Sequence, residues 1–147
     1  TPRMTRDIDI VIQIADTDIP IFIKSFQKDF YLEESAIREA IQHESLFNLI
    51  HNESITKIDF IVRKNSPYRK CEFERRRSFQ IASEKAWIVS PEDLILSKLY
   101  WAKDSLSEIQ LRDIGSLFRS VRDLDLSYLN KWVDELGLLH VLDRVQR

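Results

Sequence analysis

Residues 5–12 read Thr-Arg-Asp-Ile-Asp-Ile-Val-Ile, and this run governs the interpretation of the whole chain. Side chains alternate between the two faces of a strand, so Asp7 and Asp9 are expected on the same face. The isoleucines at positions 8, 10, 12 and 14 are then expected on the other face, turned into a core. The run therefore predicts a core strand over about residues 4–14 with two carboxylates on its outer face.

Two neighbouring carboxylates repel each other, and solvent alone does not resolve that conflict. A hard divalent cation such as Mg²⁺ would do so, and it would commonly also bind substrate phosphate oxygens. The alternative is a half-exposed strand that carries Asp at two positions for no chemical reason. The spacing of Asp7 and Asp9 leaves both interpretations open.

Composition indicates one soluble globular domain. The chain has 147 residues, of which 44% are hydrophobic and 31% charged, and no apolar run approaches the length of a membrane span. No signal peptide opens it, so we expect a cytoplasmic protein without a membrane partner. The single cysteine, Cys71, excludes an internal disulfide framework and a cysteine-based metal site, and the three histidines have no ligand-like spacing.

A basic run lies within a chain whose net charge is only −2. Residues 63–77 contain seven Lys or Arg side chains against Glu72 and Glu74, a local charge of +5 by that count. A solvated basic face is the commoner meaning of such a run, and contact with a polyanion is the alternative.

The order of predicted elements indicates an α+β fold in a single domain, 1–147. Residues 90–93, Ser-Pro-Glu-Asp, are a strong helix start, with Ser as N-cap and Pro at the first position. This start divides an α+β core, 1–89, from a helical tail, 90–147, that we expect to pack on it. The core is predicted to contain helices from 16 to either 26 or 29, at 33–43 and at 67–75, and strands at 4–14, 45–51, 55–62, 79–81 and 86–89. The tail is predicted to contain helices at 90–103, from 107, at 127–135 and at 138–145.

A third carboxylate, Asp59, stands in the apolar strand Lys-Ile-Asp-Phe-Ile-Val at 57–62. Burying a carboxylate without a partner is costly, so Asp59 needs one. If this strand lies beside the first, Asp59 joins Asp7 and Asp9. The three acids could then hold one or two divalent ions and activate a hydroxyl for attack on a nucleotide α-phosphorus. The alternative is a surface residue at a strand end.

Lys98 lies in the middle of an apolar helical stretch and must either reach solvent or meet an anion. Asp113 stands on the next predicted helix, and antiparallel packing could bring the two residues together. From spacing alone, a structural salt bridge is the preferred interpretation.

The chain resembles AbiEii-type nucleotidyltransferase-like proteins, which belong to the DNA polymerase beta superfamily. The first nine residues resemble that family's R-x-T-x-D-hydrophobic-D segment. The resemblance follows the family's order over nearly the whole chain. Its other segments are 47–51, 57–60, 90–99, 108–114 and 126–132.

The resemblance implies a nucleotidyltransferase fold and assigns roles to individual residues. Asp7, Asp9 and Asp59 match three carboxylates that bind Mg²⁺ or Mn²⁺. Lys98 matches a lysine that contacts nucleotide phosphates, and Asp113 matches an aspartate that orients that lysine or the acceptor. Arg3 and Thr5 match the nucleotide-binding part of the pattern.

One family feature is missing. The Gly-Ser turn that precedes the paired aspartates and binds phosphate through backbone N–H groups is absent, since the chain's two glycines are Gly115 and Gly137. We expect that an upstream segment has been lost, and that the chain as it stands binds nucleotide poorly or is inactive.

The resemblance implies a Mg²⁺-dependent transfer of a nucleoside monophosphate from an NTP to a hydroxyl of RNA or protein, with release of pyrophosphate. It also implies a place in a bacterial toxin–antitoxin pair, as either member. The alternative is a non-catalytic domain of the same fold, antitoxin-like, that binds a partner protein. The sequence names neither the nucleotide nor the acceptor.

Overall fold

The computed structural model describes residues 7–147 and confirms the α+β class. The chain divides into two compact units, the first ending at Lys70 and the second spanning Cys71–Arg147, and each is described by itself. Arg3, Thr5 and the start of the predicted first strand lie outside the described residues. The expectation of a single domain with a helical tail packed on its core stays a prediction.

The first unit is built on a mixed four-stranded sheet. Its strands are β1 (Asp7–Ile12), β2 (Phe30–Tyr31), β3 (Leu46–His51) and β4 (Lys57–Val62), in the order β1-β4-β3-β2. β1 runs parallel to β4, whereas β3 is antiparallel to both of its neighbours. Parallel neighbours require a long crossover, and the intervening elements provide it. The two-residue strand β2 is an element that the sequence did not predict.

Two helices follow β1 and cover one face of this sheet. A short 3₁₀ turn (Asp16–Asp18) leads into α1 (Ile19–Phe26), and the Asp18 carboxylate accepts a 2.8 Å hydrogen bond from the Ala15 backbone N–H. α2 (Glu34–His43) ends at Glu44, whose φ of 48° is left-handed. These ends match the predicted helices to within a few residues.

The core of the first unit lies between these helices and β3 and β4. Phe22 of α1 meets Phe47 and Phe60 edge-on, with ring centroids 5.5 and 5.2 Å apart, and the Phe47 and Phe60 rings stack on each other. Such aromatic pairs add to the free energy gained from apolar burial. The buried cluster consists of Ile19, Phe22, Ile37, Ala40, Phe47, Leu49, Phe60 and Val62.

The prediction that all four isoleucines of the first strand turn into a core was wrong for two of them. Ile8 and Ile10 are 49% and 38% exposed, whereas Ile12 and Ile14 pack partly against the core. Among the strands of residues 7–147, β1 stands at one end of the order and pairs with β4 alone. Side chains on its first half therefore have fewer partners than those of β4.

The second unit combines a hairpin with helices. Its hairpin strands are β5 (Arg77–Ile81) and β6 (Glu84–Ile88), and α3 (Pro67–Glu74) leads into it from the first unit. Four helices follow: α4 (Pro91–Ala102), α5 (Glu108–Ser120), α6 (Leu126–Glu135) and α7 (Leu139–Val145). α4 contacts the other three, and its residues Ile95, Leu96, Leu99 and Ala102 are fully buried.

The ends of these helices follow local capping rules. Ser90 caps α4 as predicted, because its Oγ accepts a 3.1 Å hydrogen bond from the Asp93 N–H. α6 starts earlier than the predicted residue 127, because Asp125 is its N-cap and accepts from the Tyr128 N–H at 3.0 Å. Gly137, with a φ of +66°, follows the end of α6. Within residues 7–147, no helix has the length and apolar character needed to cross a membrane.

Candidate functional site

The three predicted metal ligands form what we call the carboxylate row, Asp7, Asp9 and Asp59, in the first unit. Because β1 and β4 pair in parallel, Asp9 lies directly opposite Asp59, and Asn48 of β3 lies on the far side of Asp59. Asp7 lies two residues before Asp9 and faces Lys57. Side-chain alternation places this row on the sheet face opposite Phe60 and the core. The register thus places Asp9 beside Asp59, a proximity that the sequence made conditional on the two strands being neighbours.

Asp59 is the least exposed member of this row. Its side chain is 19% exposed, and its Oδ1 atom is inaccessible to solvent. Among residues 7–147 this oxygen has no hydrogen-bond partner, although the Lys57 ammonium lies 3.7 Å away as an ion pair. A buried acceptor without a hydrogen bond is uncommon and carries a free-energy penalty. The position therefore has spare capacity to bind a cation or a donor.

The pKa of Asp9 is raised above its ordinary value. Partial removal of its carboxyl group from water is the largest cause, followed by the negative charges of Asp59 and then of Asp7. The Lys57 ammonium opposes the increase. Asp9 and Asp59 therefore behave as an interacting acid pair.

The donor chemistry of this row suits a hard cation. Carboxylate and amide oxygens are the ligands that Mg²⁺ and Mn²⁺ take from proteins, and Asp9, Asp59 and Asn48 supply both kinds at adjacent register positions. However, within residues 7–147 no three His, Cys, Asp or Glu side chains form a group that could hold a metal ion. The observed geometry gives a carboxylate pair with a third acid nearby.

Lys98 and Asp113, in the second unit, line the same small pocket. Lys98 lies on α4 and Asp113 on α5, and Trp101 and Gln110 complete the lining of a cavity of about 40 Å³. A cavity of this size accommodates water or a small ion, while Trp101 offers an exposed aromatic ring at its margin. The expected proximity of the two helices is observed.

The structural salt bridge that spacing favoured is not formed. In the part of the chain that the structure describes, Lys98 and Asp113 make no ion pair with each other or with other residues. Lys98 and Asp113 therefore line one pocket without pairing with each other. This arrangement differs from a structural salt bridge, in which each charge would be neutralised by the other.

A buried polar network at the start of α4 was missed by the sequence interpretation. The Asp93 carboxylate is fully buried and accepts hydrogen bonds from Ser90 Oγ at 2.6 Å and from Tyr128 Oη at 2.6 Å. Arg75 donates to Asp93 at 3.3 Å and to Glu92 at 2.8 Å. Glu92 and Asp93 lie in the first turn of α4, and both bind Arg75.

Tyr128 is held tightly in this network. Burial and its hydrogen bond to Asp93 raise the pKa of its hydroxyl far above the ordinary value, so Tyr128 acts as a permanent donor. The Arg75 guanidinium lies 3.7 Å from the centre of the Tyr128 ring. The partners of Asp93 lie 18 and 35 residues away in sequence, and no local spacing indicates such contacts.

Comparison with known proteins leaves the family unassigned. No family model matches this sequence, and a search of curated proteins finds no match.

Proposed function

We propose that the carboxylate row of this chain is the metal-binding part of a nucleotidyl transfer site that depends on a divalent cation. The observation that supports it best is the pairing of Asp9 with Asp59 across parallel strands, with Asp7 on the same face. Partial burial and then the negative charge of Asp59 raise the pKa of Asp9, and a bound cation would offset that charge. The family resemblance supplies the reaction class.

In the proposed reaction, an acceptor hydroxyl oxygen attacks the α-phosphorus of an NTP. A P–O bond forms to the acceptor, the bond to the pyrophosphate leaving group breaks, and the hydroxyl proton passes to Asp59. Asp7, Asp9 and Asp59 would hold Mg²⁺ or Mn²⁺, which supplies neutralisation of phosphate charge and a lower pKa for the hydroxyl.

Lys98 and Asp113 are proposed to take the roles that the resemblance implies. The Lys98 ammonium would contact NTP phosphates, and Asp113 would orient it or the acceptor. Support comes from the shared pocket in which neither charge is neutralised by the other. Arg3 and Thr5 are proposed nucleotide contacts on the family pattern alone.

A transfer assay tests this proposal. The protein is incubated with each α-³²P-labelled NTP, Mg²⁺ and either total RNA or total protein, and labelled products are separated on denaturing gels. Asp9→Asn and Asp59→Asn should each reduce labelling by about 100-fold or more, as expected when groups that stabilise transition-state charge are removed. Asp16→Asn, on an exposed turn, is the matched control and should retain labelling. Because this sequence lacks the Gly-Ser turn, the assay also uses a form of the protein in which such a turn precedes Thr1. No labelling by either form with any NTP would contradict the proposal.

The rival function is a non-catalytic domain that binds a partner protein, as an antitoxin does. The ion pair between Lys57 and Asp59 at 3.7 Å favours it, because this contact partly neutralises the row without metal. If the parent binds no Mn²⁺ and Lys57→Met lowers stability, the lysine is the structural partner of the row and the rival gains support.

A further inference from the structure

The hairpin of the second unit has two chemically different faces. Its register pairs Ser78 with Trp87 and Gln80 with Lys85, so these four side chains share one face. We call them, together with the preceding Arg76, the Trp87 face. The opposite face carries Phe79, Ile81, Ala86 and Ile88 with Arg77 and Glu84. A two-stranded hairpin with both faces accessible gains little stability from its own packing, so its exposed residues call for another explanation.

Trp87 is exposed and is approached by two cations. Its side chain is 54% exposed, the Lys85 ammonium lies 4.7 Å from the ring centre, and the Arg76 guanidinium lies 4.9 Å away. Leaving a tryptophan in water forfeits the apolar burial that this residue type otherwise provides. An exposed aromatic ring flanked by cations is the arrangement on which single-stranded nucleic acids stack.

Arg76 is preorganised rather than free. It donates a 2.7 Å hydrogen bond to the Phe73 carbonyl, and its guanidinium lies 4.4 Å from the Phe73 ring centre. The guanidinium thus links the Phe73 and Trp87 rings, which restricts Trp87 before any ligand arrives. A restricted ring loses less conformational entropy on binding. Lys85, by contrast, is exposed and can move from the ring to a phosphate.

The two charged residues of the Trp87 face, Arg76 and Lys85, are both positive. Among residues 77–88 Glu84 is the one acidic residue, and the register places it on the opposite face, across from Ile81. Within the hairpin, Lys85 therefore has no carboxylate on its own face. In contrast, Arg75 of the wider basic run binds Glu92 and Asp93 and is not available to a polyanion. The charge favours an anionic occupant for the Trp87 face, and Ser78 and Gln80 add hydrogen-bonding groups.

We propose that the Trp87 face binds single-stranded RNA, with a base stacked on Trp87 and a phosphate at Lys85. The inference rests on the proposed function only in that it names RNA, rather than protein, as the acceptor class. It assigns acceptor binding to residues separate from the carboxylate row.

The test is fluorescence anisotropy with a labelled 12-nucleotide oligouridylate, in EDTA and without NTP. Trp87→Ala should weaken binding about tenfold, within the range for one stacked base, while Trp87→Phe should stay within about threefold of the parent. Lys85→Ala should reduce the slope of log affinity against log salt by about 0.7, one phosphate contact on a single strand. A duplex RNA of equal length should bind more weakly than the single strand.

Ile81→Ser is the matched control, since Ile81 is 58% exposed in the same hairpin but on the opposite face. It should leave RNA affinity within about twofold, because it changes no group that contacts RNA in the proposed mode. Unchanged affinity in Trp87→Ala, equal loss in Ile81→Ser, or equal duplex binding would overturn the inference. A Trp87→Ala variant that binds RNA normally but shows altered self-association in sedimentation would also overturn it, and would assign the Trp87 face to binding a second copy of the chain.

The two proposals fail separately. The anisotropy measurement in EDTA requires neither metal nor NTP. If the protein binds no RNA but still labels protein from an NTP, the proposal of nucleotidyl transfer is unaffected. Normal RNA binding with no labelling by any NTP would remove the transfer activity instead.

Discussion

At the scale of single residues, the pKa of Asp9 reflects the negative charges of the carboxylate row even when no ligand is bound. Its folded-state pKa is raised, so the native protein binds this proton more tightly than the unfolded chain does. Stability is unaffected below about pH 4, where both states are protonated, and it falls as pH rises towards the folded pKa. Above that pKa, the ionised Asp9 destabilises the fold.

We therefore predict that Asp9→Asn melts higher than the parent at pH 7 in EDTA. The gain should be small, about 1–3 °C, because solvent screens this partly exposed group. It should vanish at pH 3.5, and Mg²⁺ should stabilise the parent but not the variant. Thermal melts at both pH values, with Asp16→Asn as control, measure this. A variant that melts lower at pH 7 would show that the acids of the row do not repel each other.

Lys98 allows a second prediction at this scale. Since no ion pair joins Lys98 to Asp113, Lys98→Met should change the free energy of unfolding by less than about 1 kcal/mol, whereas breaking a buried pair would cost about 3–5 kcal/mol. NTP binding should weaken if the ammonium contacts phosphate. Urea titration and NTP titration measure these effects, with Lys24→Met on α1 as control. Loss of stability with unchanged NTP affinity would assign Lys98 a structural role.

At the scale of elements, the start of α4 depends on the Asp93 network. Tyr128→Phe removes the hydroxyl that donates to buried Asp93 at 2.6 Å, and should destabilise the protein by about 1–3 kcal/mol in urea titrations. Tyr31→Phe removes a hydroxyl that donates to Glu33 at the same distance but on the exposed surface. That control should change stability by less than about 0.5 kcal/mol. Equal effects of the two substitutions would argue against a special role for the buried network.

Local patterns predicted most elements because each pattern has a local cause. Ser90 and Pro91 give the start of α4, since a cap needs only neighbouring N–H groups. Alternation placed Asp7 and Asp9 on one face of β1. The two-residue strand β2 was not predictable, because its pairing with β3 comes from packing rather than from periodicity.

At the scale of the whole molecule, the sequence could not supply strand order or distant partners. The proximity of Asp9 and Asp59 was conditional on adjacent strands, and only the parallel pairing of β1 with β4 established it. The same limit explains the exposure of Ile8 and Ile10, which depends on β1 lying at one end of the sheet order. Arg75 and Asp93 likewise meet through chain folding and not through spacing.

Binding of Mn²⁺ tests the central claim most directly, because the carboxylate row must hold a divalent cation for the proposed transfer. Electron paramagnetic resonance measures free Mn²⁺ during titration of the parent, Asp9→Asn, Asp59→Asn and the Asp16→Asn control. The account predicts saturable binding by the parent and the control, and at least about tenfold weaker binding by both row variants. No binding by the parent, or equal binding by all four proteins, would contradict it.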